Sequence, residues 1–103
     1  MTKHRSEKTP ANLDKLIEME WDILRDLKRM LQNPELSTAE KIRAANALAY
    51  HASVLNKLLS QKGESSQFND ASLGDFIQGV QPRIARLAVR DFRAWTKRLS
   101  LTR

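Results

Sequence analysis

The chain has 103 residues, 18 Lys and Arg against 12 Asp and Glu, two His, three Gly, three Pro and no Cys. That length reads as one small domain rather than a multi-domain enzyme, and without cysteine there is no disulfide framework, thiolate nucleophile or cysteine-ligated zinc. Cutting the sequence at Pro82 leaves 11 basic and 11 acidic residues before it, whereas residues 82–103 hold seven basic residues less Asp91, so the formal excess of +6 belongs to the last segment alone.

The first ten residues, MTKHRSEKTP, carry no apolar stretch of the kind a secretory signal needs. No apolar run reaches the roughly 18 residues of a membrane span. The expected address is therefore cytoplasmic, with no membrane partner. Residues 1–9 are polar and without periodicity, which predicts a disordered arm ahead of a single helical domain over residues 10–103. Thr9-Pro10 supplies a cap followed by proline at the first helical position, where the missing N–H is harmless. From Pro10 to about Gln32 the apolar residues fill an arc of about 200° at helical spacing, wider than a surface stripe. Either two elements or another chain must cover such a helix. A small domain with a poor surface-to-volume ratio makes self-association, to a dimer or higher, the expectation.

Asn33-Pro34 ends this helix, because the residue before proline is pushed out of the helical region. Ser37-Thr38-Ala39-Glu40 reads as a capping box opening a second helix from Thr38 to about Lys62, stopped by Gly63. Its inner stripe is Ala44, Ala45, Leu48, Ala52, Leu55, Leu58 and Leu59. The short link predicts a long antiparallel hairpin. Glu20 falls at the centre of the first helix's apolar arc, and His51 between Leu48 and Leu55. A lone buried carboxylate is costly, so a Glu20–His51 hydrogen bond across the hairpin is expected. An acid–base pair would lack a nucleophile and an orienting group. His51 also has no Asp, Glu or His three or four residues away to make a metal site. Asp14, Glu18, Asp22 and Asp26 form an acidic file interleaved with Arg25 and Arg29. This is a solvated face with i,i+3 pairs, or a surface that meets the basic segment of another copy.

The connection GESSQFNDA follows, with Phe68 as a pin to the core. Ser72-Leu73-Gly74-Asp75 predicts a capped short helix to about Gln78, broken by Gly79-Val80-Gln81-Pro82. A last helix then runs from Pro82 to about Leu99 with Ile84, Leu87, Ala88, Phe92, Trp95 and Leu99 inward. The fold class is all-α: a long antiparallel hairpin, a short helix and a basic amphipathic C-terminal helix.

On that last helix Arg83, Arg86, Arg90, Arg93 and Lys97 lie within about 80° of arc, opposite the apolar side, with Arg98 nearby. Guanidinium forks match phosphate oxygens bidentately and are weakly hydrated. This almost acid-free column therefore predicts nucleic-acid contact through phosphates by Arg83, Arg86, Arg90, Arg93, Lys97 and Arg98. An acidic protein partner on the same helix is the alternative, and a merely solvated face the plainest reading. A membrane-surface reading would require Phe92, Trp95 and Leu99 to be released from the core. Leu73 through Val89 has the ingredients of a helix-turn-helix but departs from its register at Asp75 and Ile84, so no base-specific readout is expected. Glycine-rich phosphate loops, Ser/His/Asp sets and paired catalytic carboxylates are absent. The chain is therefore read as no enzyme, with no cofactor and no metal.

The stretch Leu36 to Leu59, LSTAEKIRAANALAYHASVLNKLL, resembles the helical segment of small terminase subunits from tailed viruses. In that family a helical pair supports ring-like oligomers that bind viral DNA and present it to the packaging motor. The resemblance implies DNA in preference to RNA, a viral DNA-packaging role in the host cytoplasm, and oligomers. This sequence departs from the family's N-terminal helix-turn-helix by entering its hairpin almost at once, and no functional residue is carried over.

Overall fold

In a computed structural model of the chain, which describes the backbone of residues 3–101 and the side chains of residues 12–100, four helices follow one another: α1 (Lys3–Leu31), α2 (Thr38–Gln61), α3 (Asp70–Phe76) and α4 (Pro82–Leu101). No strand occurs among the described residues, and the all-α class holds. The bounds of α1 place Thr9 and Pro10 inside the helix rather than at its start. A proline there removes one helical hydrogen bond instead of opening the helix. Residues 1 and 2 of the expected arm, and the side chains of all of it, lie outside the described residues.

The boundaries of α2 follow from local chemistry. Ser37 Oγ accepts from the Glu40 backbone N–H at 3.2 Å, and the Ser37 N–H donates to Glu40 Oε1 at 3.0 Å. The Ser37 N–H, together with Ser37 Oγ donating to Glu40 Oε1 at 3.1 Å, holds the Glu40 carboxyl below its ordinary pKa. At the other end the Glu64 N–H reaches back to the Leu59 carbonyl at 2.8 Å and the Gly63 N–H to Ser60 at 3.0 Å. Gly63 takes φ 85°, a left-handed backbone that only glycine adopts cheaply. The short helix α3 begins earlier than expected. Its cap is Asn69, whose side chain accepts from the Ser72 N–H at 2.8 Å while Ser72 Oγ accepts from the Asn69 N–H. Ser72, expected as the cap, is the reciprocal member three residues on.

The two long contacts of α2 run in opposite senses. Glu20 meets His51 and Asp14 meets Lys62, so α1 and α2 are antiparallel as expected. Asn46 pairs with Asp91, Tyr50 with Trp95, Ser53 with Thr96, and Lys57 with the Leu99 carbonyl, so α4 runs parallel to α2. A parallel pair needs a return path, and residues 62–81 provide it by carrying α3 back along the layer. Gln32 Nε2 donates to the Gln78 carbonyl at 3.0 Å and ties the end of that path to the end of α1.

Buried on the sides facing α1 and α4, α2 contributes Ala44, Ala45, Leu48, Ala49, Ala52, Ser53, Leu55 and Leu59 to the core, while the expected Leu58 is only half-buried. Small side chains let α4 come close: Ser53 Oγ lies 3.4 Å from the Phe92 carbonyl. Ile84, Ala88 and Phe92 of α4 are buried against this surface. Phe68 is buried as expected, its ring 5.6 Å from Trp21 and 5.4 Å from Phe76. Such tilted pairs add about 0.5–1.5 kcal/mol each beyond their burial. The wide apolar arc of α1 is only partly covered: Leu24 and Leu31 are buried, but Leu16, Met19 and Met30 remain 46%, 55% and 42% exposed.

Candidate nucleic-acid interface

The apolar side of α4 faces α2, and this turns its opposite side outward. Arg83, Arg86, Arg90, Arg93 and Lys97 are all exposed there. At 1.5 Å per residue the column spans about 21 Å, the axial rise of roughly six base pairs of one DNA strand. The side chains of Arg83, Arg86 and Lys97 have no hydrogen bond or ion pair among the described residues. Arg90 Nε stands 3.9 Å from Asp91 Oδ1, a loose contact, since Asp91 also accepts from Asn46 Nδ2 at 3.1 Å.

Two members differ. Arg93 Nε donates to Asp70 Oδ2 at 2.7 Å, so one guanidinium of the column already holds a carboxylate from the start of α3. Asp70 is the residue that sequence reasoning missed. It lies far from Arg93 along the chain, and only the return path of α3 brings them together. Arg98 is exposed but stands outside the column, with its guanidinium carbon 4.7 Å from the Trp95 ring centre. Trp95 in turn packs edge-on against Tyr50 at 4.7 Å, so Arg98 closes a stack on the flank of α4.

Beside the column an open groove of about 700 Å³ runs between α2, the segment before α3 and α4. Asn56, Phe68 and Phe92 lie on one part of it, and Asp70, Arg93 and Lys97 line another. The amide of Asn56 is spent on structure, donating to the Phe68 carbonyl at 2.9 Å and accepting from the Gln67 and Phe68 N–H groups.

The other polar features resolve into ties within the fold. His51 Nδ1 and Glu20 Oε1 are 2.6 Å apart across the α1–α2 seam, with side chains 25% and 15% exposed, as the hairpin geometry requires. In the acidic file, Asp22 pairs with Arg25 at 2.8 Å, Asp26 with Arg29 at 2.9 Å and Asp14 with Lys62 at 2.7 Å. The Asp14 and Glu64 carboxylates raise the Lys62 pKa above its ordinary value. With three of its four carboxylates engaged, this file offers little to the basic column of another copy. Among the described residues no three His, Asp or Glu side chains gather to hold a metal.

Fold and surface together define a class: an all-α protein of three long helices in a layer, one of which bears an outward cationic edge. No helix among the described residues is long and apolar enough to cross a membrane. No family model, curated protein or solved structure matches the chain.

Proposed function

We propose that this protein is a small, self-associating nucleic-acid-binding protein that holds the phosphate backbone along the outer side of α4, with duplex DNA preferred over RNA. The observation that carries the reading is the set of exposed cations, Arg83, Arg86, Arg90 and Lys97, fixed in line on a helix whose reverse side is buried. Binding of this kind is driven by counterion release and positions the protein without reading bases. Four phosphate contacts correspond to a slope of log K against log salt of about −3.6. The preference for DNA and a role in viral DNA packaging rest on the resemblance of residues 36–59 to small terminase subunits.

A filter-binding titration at several salt concentrations against duplex DNA and RNA tests the proposal. The expected result is steep loss of affinity with salt, and loss of at least about tenfold on double reversal, Arg86→Glu with Arg90→Glu, since each phosphate contact is worth a comparable electrostatic share. Both side chains face solvent, so helicity by circular dichroism should be unchanged. Absence of binding at low salt, or binding indifferent to salt, ends the reading.

One observation favours a second reading. The Arg93–Asp70 pair demonstrates that this column accepts a carboxylate. An acidic protein docking on the same edge is therefore the competing function. Purified protein that carries nuclease-sensitive absorbance favours nucleic acid. A clean preparation that captures an acidic protein, and releases it on the same double reversal, favours the alternative.

A further inference from the structure

The groove beside the cationic column combines apolar surface from Phe68, Ala71 and Phe92 with three charged side chains, Asp70, Arg93 and Lys97. Its amide and hydroxyl groups are largely spent on the fold. Asn56 holds the main chain at Gln67 and Phe68, and the Asn69 side chain caps α3 by accepting from the Ser72 N–H at 2.8 Å. Thr96 Oγ1 shares a 3.1 Å hydrogen bond with Ser53 Oγ. A sugar, a nucleobase edge or an extended peptide would find few partners here for its many donors and acceptors, and each one left unpaired costs energy. What the groove offers is carbon surface beside charge.

That charge has a sign. Two cations against one carboxylate leave a single positive surplus on the rim. The Lys97 ammonium has no partner among the described residues, and Arg93 engages Asp70 through Nε, which leaves the terminal nitrogens of its fork for a second acceptor. Arg93 and Lys97 are four residues apart on one helix, close enough for one anion to touch both. Asp70, seated on the guanidinium at 2.7 Å, is a tethered example of the group this rim takes. We propose that the groove binds a small monocarboxylate with an apolar body, its rings laid against Phe68 and Phe92 and its carboxylate held by Arg93 and Lys97. The volume of about 700 Å³ falls within the range of small-ligand sites, about 300–1,000 Å³. The groove opens to water on its outer side, so the affinity is modest.

Naphthalene-2-carboxylate is a suitable probe, with its neutral carboxamide as the control of equal shape. Amide-resolved NMR titration is expected to show saturable shifts at Phe68, Arg93 and Lys97, and none around the exposed Leu16 and Met19 of α1. The carboxamide should bind about tenfold more weakly, and Lys97→Gln should weaken the carboxylate about two- to fivefold, the scale of solvent-exposed ion pairs. Ala71 is exposed on α3, so Ala71→Trp should cover the groove and abolish binding while circular dichroism stays unchanged. No saturable shift, shifts centred on Leu16 and Met19, equal affinity for the carboxamide, or undiminished binding by either variant would each overturn the proposal. Arg83, Arg86 and Arg90 lie outside the groove, so this site and the nucleic-acid reading of α4 stand or fall separately.

Discussion

Arg93 has its own anion. Asp70 reaches it at 2.7 Å, with the two side chains 46% and 68% exposed, so the pair sits in solvent and adds at most about 1 kcal/mol to stability. Its larger effect falls on binding, because a phosphate arriving at Arg93 must displace a carboxylate or do without that contact. Asp70→Asn should therefore tighten nucleic-acid binding severalfold at fixed salt and steepen the salt slope by about one contact, while the melting temperature barely moves. Filter binding of the two proteins side by side checks this, and an unchanged slope would mean that Arg93 never meets the ligand. At this scale the sequence was readable wherever a residue contradicted its surroundings. Glu20 at the centre of an apolar arc had to be paired, and His51 stood between Leu48 and Leu55 on the inner stripe of the facing helix. Asp70 contradicted nothing; a carboxylate in a polar loop has no sequence signal for the guanidinium it will meet.

The helices begin and end where local chemistry places them, and those ends are separately testable. Gly63→Ala puts a side chain on a backbone with φ 85°, and no atom lies within 4 Å of the added carbon. The cost is then conformational alone, about 1–2 kcal/mol, read as a lower midpoint in urea with an unchanged slope. At the opposite end of α2, Ser37→Ala removes a cap worth about 1 kcal/mol and should lower the melting temperature by about 4–8 °C. The Glu40 half of the same box carries a pH signature. Its carboxyl is held below the ordinary 4.5 by Ser37, so its contribution is complete above that value and disappears as pH falls through the lowered one. Glu40→Ala should accordingly be less stable than the parent at neutral pH and converge with it in melts as pH falls through that lowered value. The capping box, Gly63 and Pro82 were legible because each satisfies or breaks backbone hydrogen bonds with residues only a few positions away. The start of α3 was misplaced by three residues, from Asn69 to Ser72, because Asn and Ser are both good caps and only the geometry decides which one receives the N–H.

Across the whole molecule, of extents 50 × 27 × 20 Å, charge and apolar surface are separated onto different sides: the cations on the outer side of α4, the uncovered apolar stripe on α1, and α2 between. The charge division was visible in residue counts. The parallel course of α2 and α4 was not, because hydrophobic periodicity reports which side of a helix is buried and never which way its neighbour points. Salt acts differently on the two surfaces. Raising it should release nucleic acid from α4 yet leave self-association through apolar surface intact or slightly stronger, since apolar contact is not screened. Light scattering and filter binding on one salt series would separate the two. Small side chains sit where α2 and α4 come close: Ala49, Ser53 and Ala88 are buried, and Ser53 Oγ lies 3.4 Å from the main chain of its neighbour. So little slack remains at that joint that the cationic rod is mounted like a ruler on a bench, without a hinge. Whatever polyanion settles on it must do the bending itself.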